Sequence, residues 1–303
     1  MTLRPQFRVT PVHSWRSKGE LVIAHEERYR YADFGGTTCE GSGIYRITAD
    51  GRDATALAIG KPACDAFQEA LSVALDPDGR SIVYSVRVLP NSSRLVRLRL
   101  GAAHADSLPA GCATYLENPA VSPQGDRIAA AGICDRAASN SIYVSNANGG
   151  DLRPLMPSDG VVDADPAWSP EGARIAFTHG GHIAIIDTSG RSMRELVAGD
   201  YPAWSPDGRW IAFLARDPSD RLERQIHLIR FDNSGERVLF VNHVHTTYSV
   251  GWGRVREGGV SAPLVWAPDG SALAFGRGYE KGTSIWRVDI ANGALGAITA
   301  PAR

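Results

Sequence analysis

The sequence predicts an all-β protein, a six-bladed β-propeller with four antiparallel strands per blade, filling residues 1–303 as a single domain. Three observations lead there. The stretch "PAWSPDGRWIAF" (Pro202 to Phe213) recurs along the chain without gaps. Every copy is followed by a second half of fixed grammar: a β-branched or aromatic run, a glycine-containing turn, then a short apolar run. The turn glycines of the copies (Gly19, Gly79, Gly125, Gly172, Gly208 and Gly270) fall 36 to 62 residues apart. A unit of that length with two tight turns holds about four short strands.

In chain order, the first copy is the eroded "HSWRSKGELVIA" (His13 to Ala24). It keeps Trp15 and Gly19 and lacks the Pro-Asp of the turn. Its second half is "GIYRITADGRDATAL". Then come "VALDPDGRSIVY" (Val73 to Tyr84) with "RLVRLRLGAAHADSL", and "PAVSPQGDRIAA" (Pro119 to Ala130) with "SIYVSNANGGDLRPL". "PAWSPEGARIAF" (Pro166 to Phe177) is followed by "HIAIIDTSGRSMREL", and the opening stretch itself by "IHLIRFDNSGERVLF". "LVWAPDGSALAF" (Leu264 to Phe275) with "SIWRVDIANGALGAI" is last. Proline suits the corner of the shared turn because its φ is fixed, and glycine supplies the positive φ that follows. A lone four-stranded sheet cannot bury both faces. Radial packing buries Trp, Ile, Ala and Phe between neighbours and leaves only short edges.

Composition narrows the function. A formal net charge of -1 and 43% hydrophobic residues describe ordinary globular material. Phosphate binding needs a basic excess, so nucleic acid is not the expected partner. No run is long enough for a membrane span, and Met1 to Ser17 has no apolar core of signal-peptide type.

The grammar P-x-W-S-P-D-G-x-x-I-A-F resembles the TolB-type propeller repeat, which also occurs in the propellers of prolyl-oligopeptidase-like enzymes. The resemblance runs from about His13 to Thr299 and implies fold far more than activity. It is confined to the propeller, because the extra N-terminal α/β domain of TolB has no room here. The peptidases also need a hydrolase domain with a G-x-S-x-G nucleophile elbow, and no such motif is present. Some pectin-degrading lyases with this repeat type carry a histidine-rich metal site on the channel face. They have seven blades, and the likeness to them rests on one H-x-H.

The fold sorts loops by face. With strands A to D running from inside to outside, A–B and C–D turns share one face and are short. B–C loops and the linkers between blades share the other. That face receives Glu26 to Ser42, Gly60 to Leu71, Ala110 to Asn118, Ala131 to Ser141, Ala215 to Gln225 and Asn242 to Pro263. Long loops on a rigid scaffold tend to carry function, so the working surface is expected there. All four cysteines map to it. Of three connectivities, topology favours Cys39–Cys64 and Cys112–Cys134, which implies an oxidising, extracytoplasmic compartment. The alternative is four free thiols in a cytoplasmic protein.

Two sets of residues offer chemistry. His243 and His245 form H-x-H in the longest linker, where residues two apart point the same way and can share one divalent metal. His13 and Asp165 are the further ligands expected near the channel, with Asp163 and Asp200 in comparable places. Surface histidines and backbone-capping aspartates give the same pattern without a metal. His179 and His182 flank a very short B–C loop and are expected simply to end strands. The second set is Arg28, Tyr31, Tyr248, Trp252 and Arg254, residue types enriched in binding hot spots and able to hold a protein, peptide or glycan. Loops that bury their own aromatics would look alike. The expectation is a non-catalytic binding module using the long-loop face. The alternative is a small-molecule lyase or hydrolase with a site at the channel mouth, a divalent metal being the only cofactor for which ligands are visible.

Overall fold

The computed structural model describes residues 8–16, 20–29, 39–48, 53–59, 70–88, 92–102, 104–134, 139–216, 224–241, 247–250, 253–256, 259–279 and 282–299. Among them the fold is all-β, a β-propeller arrangement of four-stranded antiparallel blades. The first sheet is β1 (Arg8–Arg16), β2 (Glu20–Tyr29), β3 (Cys39–Thr48) and β4 (Ala54–Ile59), in that order. Next come β5 (Ala70–Leu75), β6 (Ser81–Val88), β7 (Ser92–Arg99) and β8 (Asp106–Ser107). The third contains β9 (Ala113–Val121), β10 (Arg127–Cys134), β11 (Ser141–Asn146) and β12 (Arg153–Pro154). Then follow β13 (Asp163–Trp168), β14 (Arg174–His179), β15 (His182–Asp187) and β16 (Arg194–Ala198). β17 (Asp200–Trp204), β18 (Trp210–Arg216), β19 (Arg224–Arg230) and β20 (Arg237–Phe240) make another sheet. A hairpin of β21 (Thr247–Val250) and β22 (Gly253–Arg256) precedes β23 (Gly259–Trp266), β24 (Ala272–Tyr279), β25 (Gly282–Asp289) and β26 (Leu295–Ala297).

The repeat turn behaves as its sequence demands. Gly79, Gly125, Gly172, Gly208 and Gly270 all lie at φ between 67° and 74°. The serine before the turn proline closes it from inside: the buried Ser122, Ser169 and Ser205 accept hydrogen bonds through Oγ from the amides of Arg127, Arg174 and Trp210 at 2.9–3.0 Å. Where aspartate follows the proline, it caps the turn. Asp78, Asp207 and Asp269 each accept a backbone N–H two residues on, at 2.8–3.1 Å.

The chain divides into two compact units, residues 1–64, 214–227 and 237–303, and residues 65–213 and 228–236. In the second, sheets pack through the repeat's apolar positions. Trp168, Ile175 and Phe177 meet Ala129, Ala131, Ile142 and Val144 of the preceding sheet. The Trp168 indole donates to the Ala120 carbonyl at 3.0 Å, and the Arg127 guanidinium lies 4.7 Å above the Trp168 ring. Val83, Leu95 and Leu108 meet Leu116, Ile128 and Tyr143 in the same manner. In the first unit, Trp15, Tyr45 and Ile47 pack on Val265, Ala274, Ile285 and Ile298, so the chain's first sheet lies against its last. Both sheets are built from consecutive strands, and Val9 pairs with His25 of its own sheet, so among the described residues no strand is exchanged between them.

Several segments expected as loops are partly strand. β2 runs to Tyr29 and β3 begins at Cys39, shortening the segment read as Glu26 to Ser42. β10 runs to Cys134, β9 starts at Ala113, and the segment from Asn242 to Pro263 contains the β21–β22 hairpin and the start of β23. The physical reason is that backbone pairing continues beyond the apolar alternation: Arg28 pairs with Glu40 and Cys134 with Ala113.

Candidate functional site

At the end of each blade opposite the S-P-D-G turns, strand A begins and strand B ends. In the second compact unit this end is distinctive. Asn118, Asp165 and Tyr201 occupy one repeat position, each directly before the proline of its copy, and each lies at positive φ (51°, 53° and 57°). A residue before proline is normally extended, and non-glycine residues seldom adopt positive φ. The pairing registers show what the conformation does. Register slips between Ala129 and Ala131 in one sheet, and between Ala164 and Ala167 in the next, so β9 and β13 bulge at Asn118 and Asp165.

Neighbouring blades hold the bulges in place. The Asn118 amide donates to Ser72 Oγ at 2.9 Å, and Ser72 Oγ is 2.9 Å from the buried Ser85 Oγ. Asn118 Nδ2 donates to Asp165 Oδ1 at 2.6 Å, while Thr178 Oγ1 donates to Asp165 Oδ2 at 3.3 Å. The Tyr201 amide in turn donates to Thr178 Oγ1 at 3.1 Å. One polar chain thus stitches β5, β9, β13, β14 and β17 at a single level.

Over this chain opens a pocket of about 380 Å³, lined by Tyr115, Glu117, Asn118, Asn140, Asp165 and Tyr201 with Ala131, Gly132, Ile133 and Ala164 between them. Gly132 is required here: a Cβ would stand 2.5 Å from the Tyr115 carbonyl oxygen. The Cys112–Cys134 disulfide, with its Cα atoms 5.0 Å apart, ties the segment entering β9 to the end of β10 beside the pocket wall.

A second feature adjoins it. His179 and Asp163 face each other across β14 and β13, both buried, with Nδ1 and Oδ1 2.7 Å apart. Burial pushes the Asp163 carboxyl above its usual range. The hydrogen bond and charge of His179 oppose that shift, and nearby Asp159 adds to it. His179 Nε2 lies 3.5 Å from Asp159 and 3.8 Å from Glu195. The pair therefore fixes the imidazole from beneath and leaves Nε2 toward two exposed carboxylates. His179 ends its strand as expected, and Gly180 and Gly181 form the two-residue turn to His182 at φ 58° and 86°.

The expected site residues are distributed as follows. Asp165 is at the pocket, in the second compact unit, held by Asn118 and Thr178. His13 lies in β1, while His243 and His245 lie outside the described residues. Arg28 is in β2. Tyr248 and Arg254 fall on the facing strands β21 and β22, and Tyr31 and Trp252 lie outside the described residues. Cys39 starts β3 and Cys64 is outside the described residues. Among the described residues, no group of three or more His, Cys, Asp or Glu is arranged to hold a metal ion. No helix among them is long and apolar enough to cross a membrane. Sequence reasoning missed Tyr115, Glu117, Asn118, Asn140 and Tyr201, and it missed the pairing of Asp163 with His179. The available signal was the variable residue before proline in "NPAVSP", "DPAWSP" and "YPAWSP".

The architecture is that of a TolB-type propeller. A putative TolB from Agrobacterium tumefaciens superposes with a TM-score of 0.65 at 20% identity, over 85% of this chain and 88% of that one. TolB from Acinetobacter baumannii gives 0.65 at 14% identity, over 84% of this chain and 58% of that one. An oligogalacturonate lyase from Vibrio parahaemolyticus gives 0.59 at 11% identity, over 95% of this chain and 92% of that one. At these identities the likeness is one of fold. No protein-family profile matches the sequence. No curated protein matches it either.

Proposed function

We infer that the protein is a binding module that engages a protein, peptide or glycan at the long-loop end of its blades, outside the cytoplasm. The observation that carries this is the pocket of about 380 Å³ at the strand-A bulges, within the size range of ligand sites and lined by tyrosine, asparagine and carboxylate side chains. Strained backbone held by surrounding structure is a hallmark of functional positions. Arg28, Tyr31, Tyr248, Trp252 and Arg254 are proposed as a separate set of contact residues in the first compact unit. The TolB-like fold supports a binding role, as does the similarity to a chain from a nidogen/laminin complex (TM-score 0.55, 12% identity, 76% of this chain and 79% of that one). The Cys112–Cys134 disulfide supports an oxidising compartment. We read the four-stranded sheets as the six blades that the repeat predicts, because each is built from one copy and its second half.

Panning the protein against a peptide-display library and a glycan array tests the reading. Ligands should be enriched, and their binding should be lost in Asn140→Trp, which fills the pocket, and kept in Asp106→Asn on the exposed β8. Enrichment that ignores Asn140→Trp would count against it.

The second reading is a lyase or hydrolase with a divalent metal on His243, His245, His13 and Asp165. The H-x-H spacing and the fold likeness to an oligogalacturonate lyase support it. It is the weaker of the two because the Asp165 carboxylate already accepts hydrogen bonds from Asn118 and Thr178. Metal analysis of the purified protein beside His243→Ala and His245→Ala decides it. Wild type without bound metal, or metal content equal in all three, removes it.

A further inference from the structure

The pocket at the bulges is charged in one sense only. Among the described residues its lining includes the carboxylates of Glu117 and Asp165 and no lysine, arginine or histidine. Asp165 is locked by Asn118 and Thr178, which fixes a negative charge at the base. Glu117 is different. It is half-buried on β9, and its carboxylate has no hydrogen bond or ion pair among the described residues. A cation entering the pocket would find this carboxylate free to pair with it through charge-assisted hydrogen bonds. Tyr115 and Tyr201 line the same space, and tyrosine rings attract cations. Around them the Asn140 side chain and the apolar stretch Ala131 to Ile133 supply one amide and a surface for an aliphatic stem. A neutral sugar would find hydrogen-bonding groups here but would leave the Glu117 charge uncompensated.

Building on the binding reading above, we propose that this pocket receives a basic group of a peptide or protein partner, the ammonium of a lysine or the guanidinium of an arginine, with Glu117 as its counterion. The stem lies along Ala131, Gly132 and Ile133. The disulfide at Cys134 keeps that wall in place.

The test uses fluorescently labelled hexalysine, hexa-arginine and hexaglutamate, with unlabelled cellohexaose as the neutral oligosaccharide. Binding is followed by fluorescence anisotropy and, for the sugar, by calorimetry. Hexalysine or hexa-arginine should bind saturably, with affinity falling as salt rises, and hexaglutamate should not bind. Glu117→Gln should weaken the basic peptide about tenfold or more. Asn140→Arg, which places a cation inside the pocket, should abolish binding, and Asp106→Asn on the exposed β8 should leave it unchanged. Thermal unfolding of the four variants, Asn140→Trp included, shows that each is folded. Equal hexalysine affinity in wild type and Glu117→Gln overturns the proposal, as does no binding of either basic peptide. Binding of cellohexaose or hexaglutamate that Asn140→Trp blocks overturns the cation assignment while leaving the binding reading standing. Failure of every probe here and of the display and array panning removes both.

Discussion

The repeats beginning at Pro119, Pro166 and Pro202 each have two places where the backbone swings to positive φ, one at either end of strand A, and they are made from opposite materials. At the S-P-D-G end the position is always glycine, which adopts that conformation without penalty. At the other end it is Asn118, Asp165 or Tyr201, residues with side chains, and the conformation is held by hydrogen bonds from adjacent blades. The first end is stable by local chemistry alone and repeats with little variation. The second depends on its neighbours and differs from blade to blade. A propeller can thus keep one face constant as scaffold and vary the other, because the varied face is stabilised between blades rather than within them.

The comparison can be broken by substitution. The greatest expected effect is at the constant face. Gly190 lies in the C–D turn at φ 80°, and an added Cβ would clash with the Leu155 carbonyl oxygen. Gly190→Ala should cost about 3–4 kcal/mol, combining left-handed strain with overpacking, measured by urea unfolding. Next comes the variable face. Removing the Cys112–Cys134 bridge, which spans 22 residues, should cost about 3 kcal/mol by the chain-entropy argument and should also loosen the pocket. Reducing agent should mimic the double serine variant. Gly208→Ala, whose Cβ would make only ordinary contacts (3.7 Å to the Glu171 carboxylate) but at φ of 69°, isolates conformational strain and should cost about 1–2 kcal/mol.

A smaller effect depends on pH. The folded state holds the Asp163 carboxyl above the usual range, mainly through burial, so the folded protein binds the proton more tightly than the unfolded chain. That contribution is fully present below the ordinary carboxylate value near 3.8 and is lost as pH rises through the raised one. Wild type should therefore lose stability relative to Asp163→Asn as pH climbs from about 4 toward neutrality. A flat difference between the two proteins across that range would show the carboxyl to be unshifted. Smallest of all is Tyr201→Asn. Asparagine tolerates positive φ, and the anchoring bond to Thr178 comes from the backbone, so stability should move by no more than about 0.5 kcal/mol. A larger loss would mean that the tyrosine ring, rather than the inter-blade hydrogen bond, holds the bulge.

The fold was legible because its determinants are local and repeated. Pro206, Asp207 and Gly208 specify a turn by themselves, and five further copies supply the register. Strand ends were less legible, since pairing such as Arg28 with Glu40 is cooperative and leaves no apolar alternation to read. The Cys112–Cys134 pairing followed from topology and is present. The pocket could not be read in the same way. Asn118, Asp165 and Tyr201 share a position but no chemistry, and the rule for residues before proline points to extended backbone. His179 and Asp163 are sixteen residues apart and meet only through strand register. What brings such residues together is the neighbouring strand or blade, which a single repeat does not contain.

The packing of the first sheet on the last has a mechanical consequence. Trp15, Tyr45 and Ile47 pack on Ala274, Ile285 and Ile298, and among the described residues every strand of each sheet is drawn from its own stretch of chain. Force across that seam would part packed faces, and among the described residues no backbone ladder joins the two sheets. The seam would open by admitting water between apolar surfaces, leaving both sheets intact, and would reseal without any strand having to find its register again.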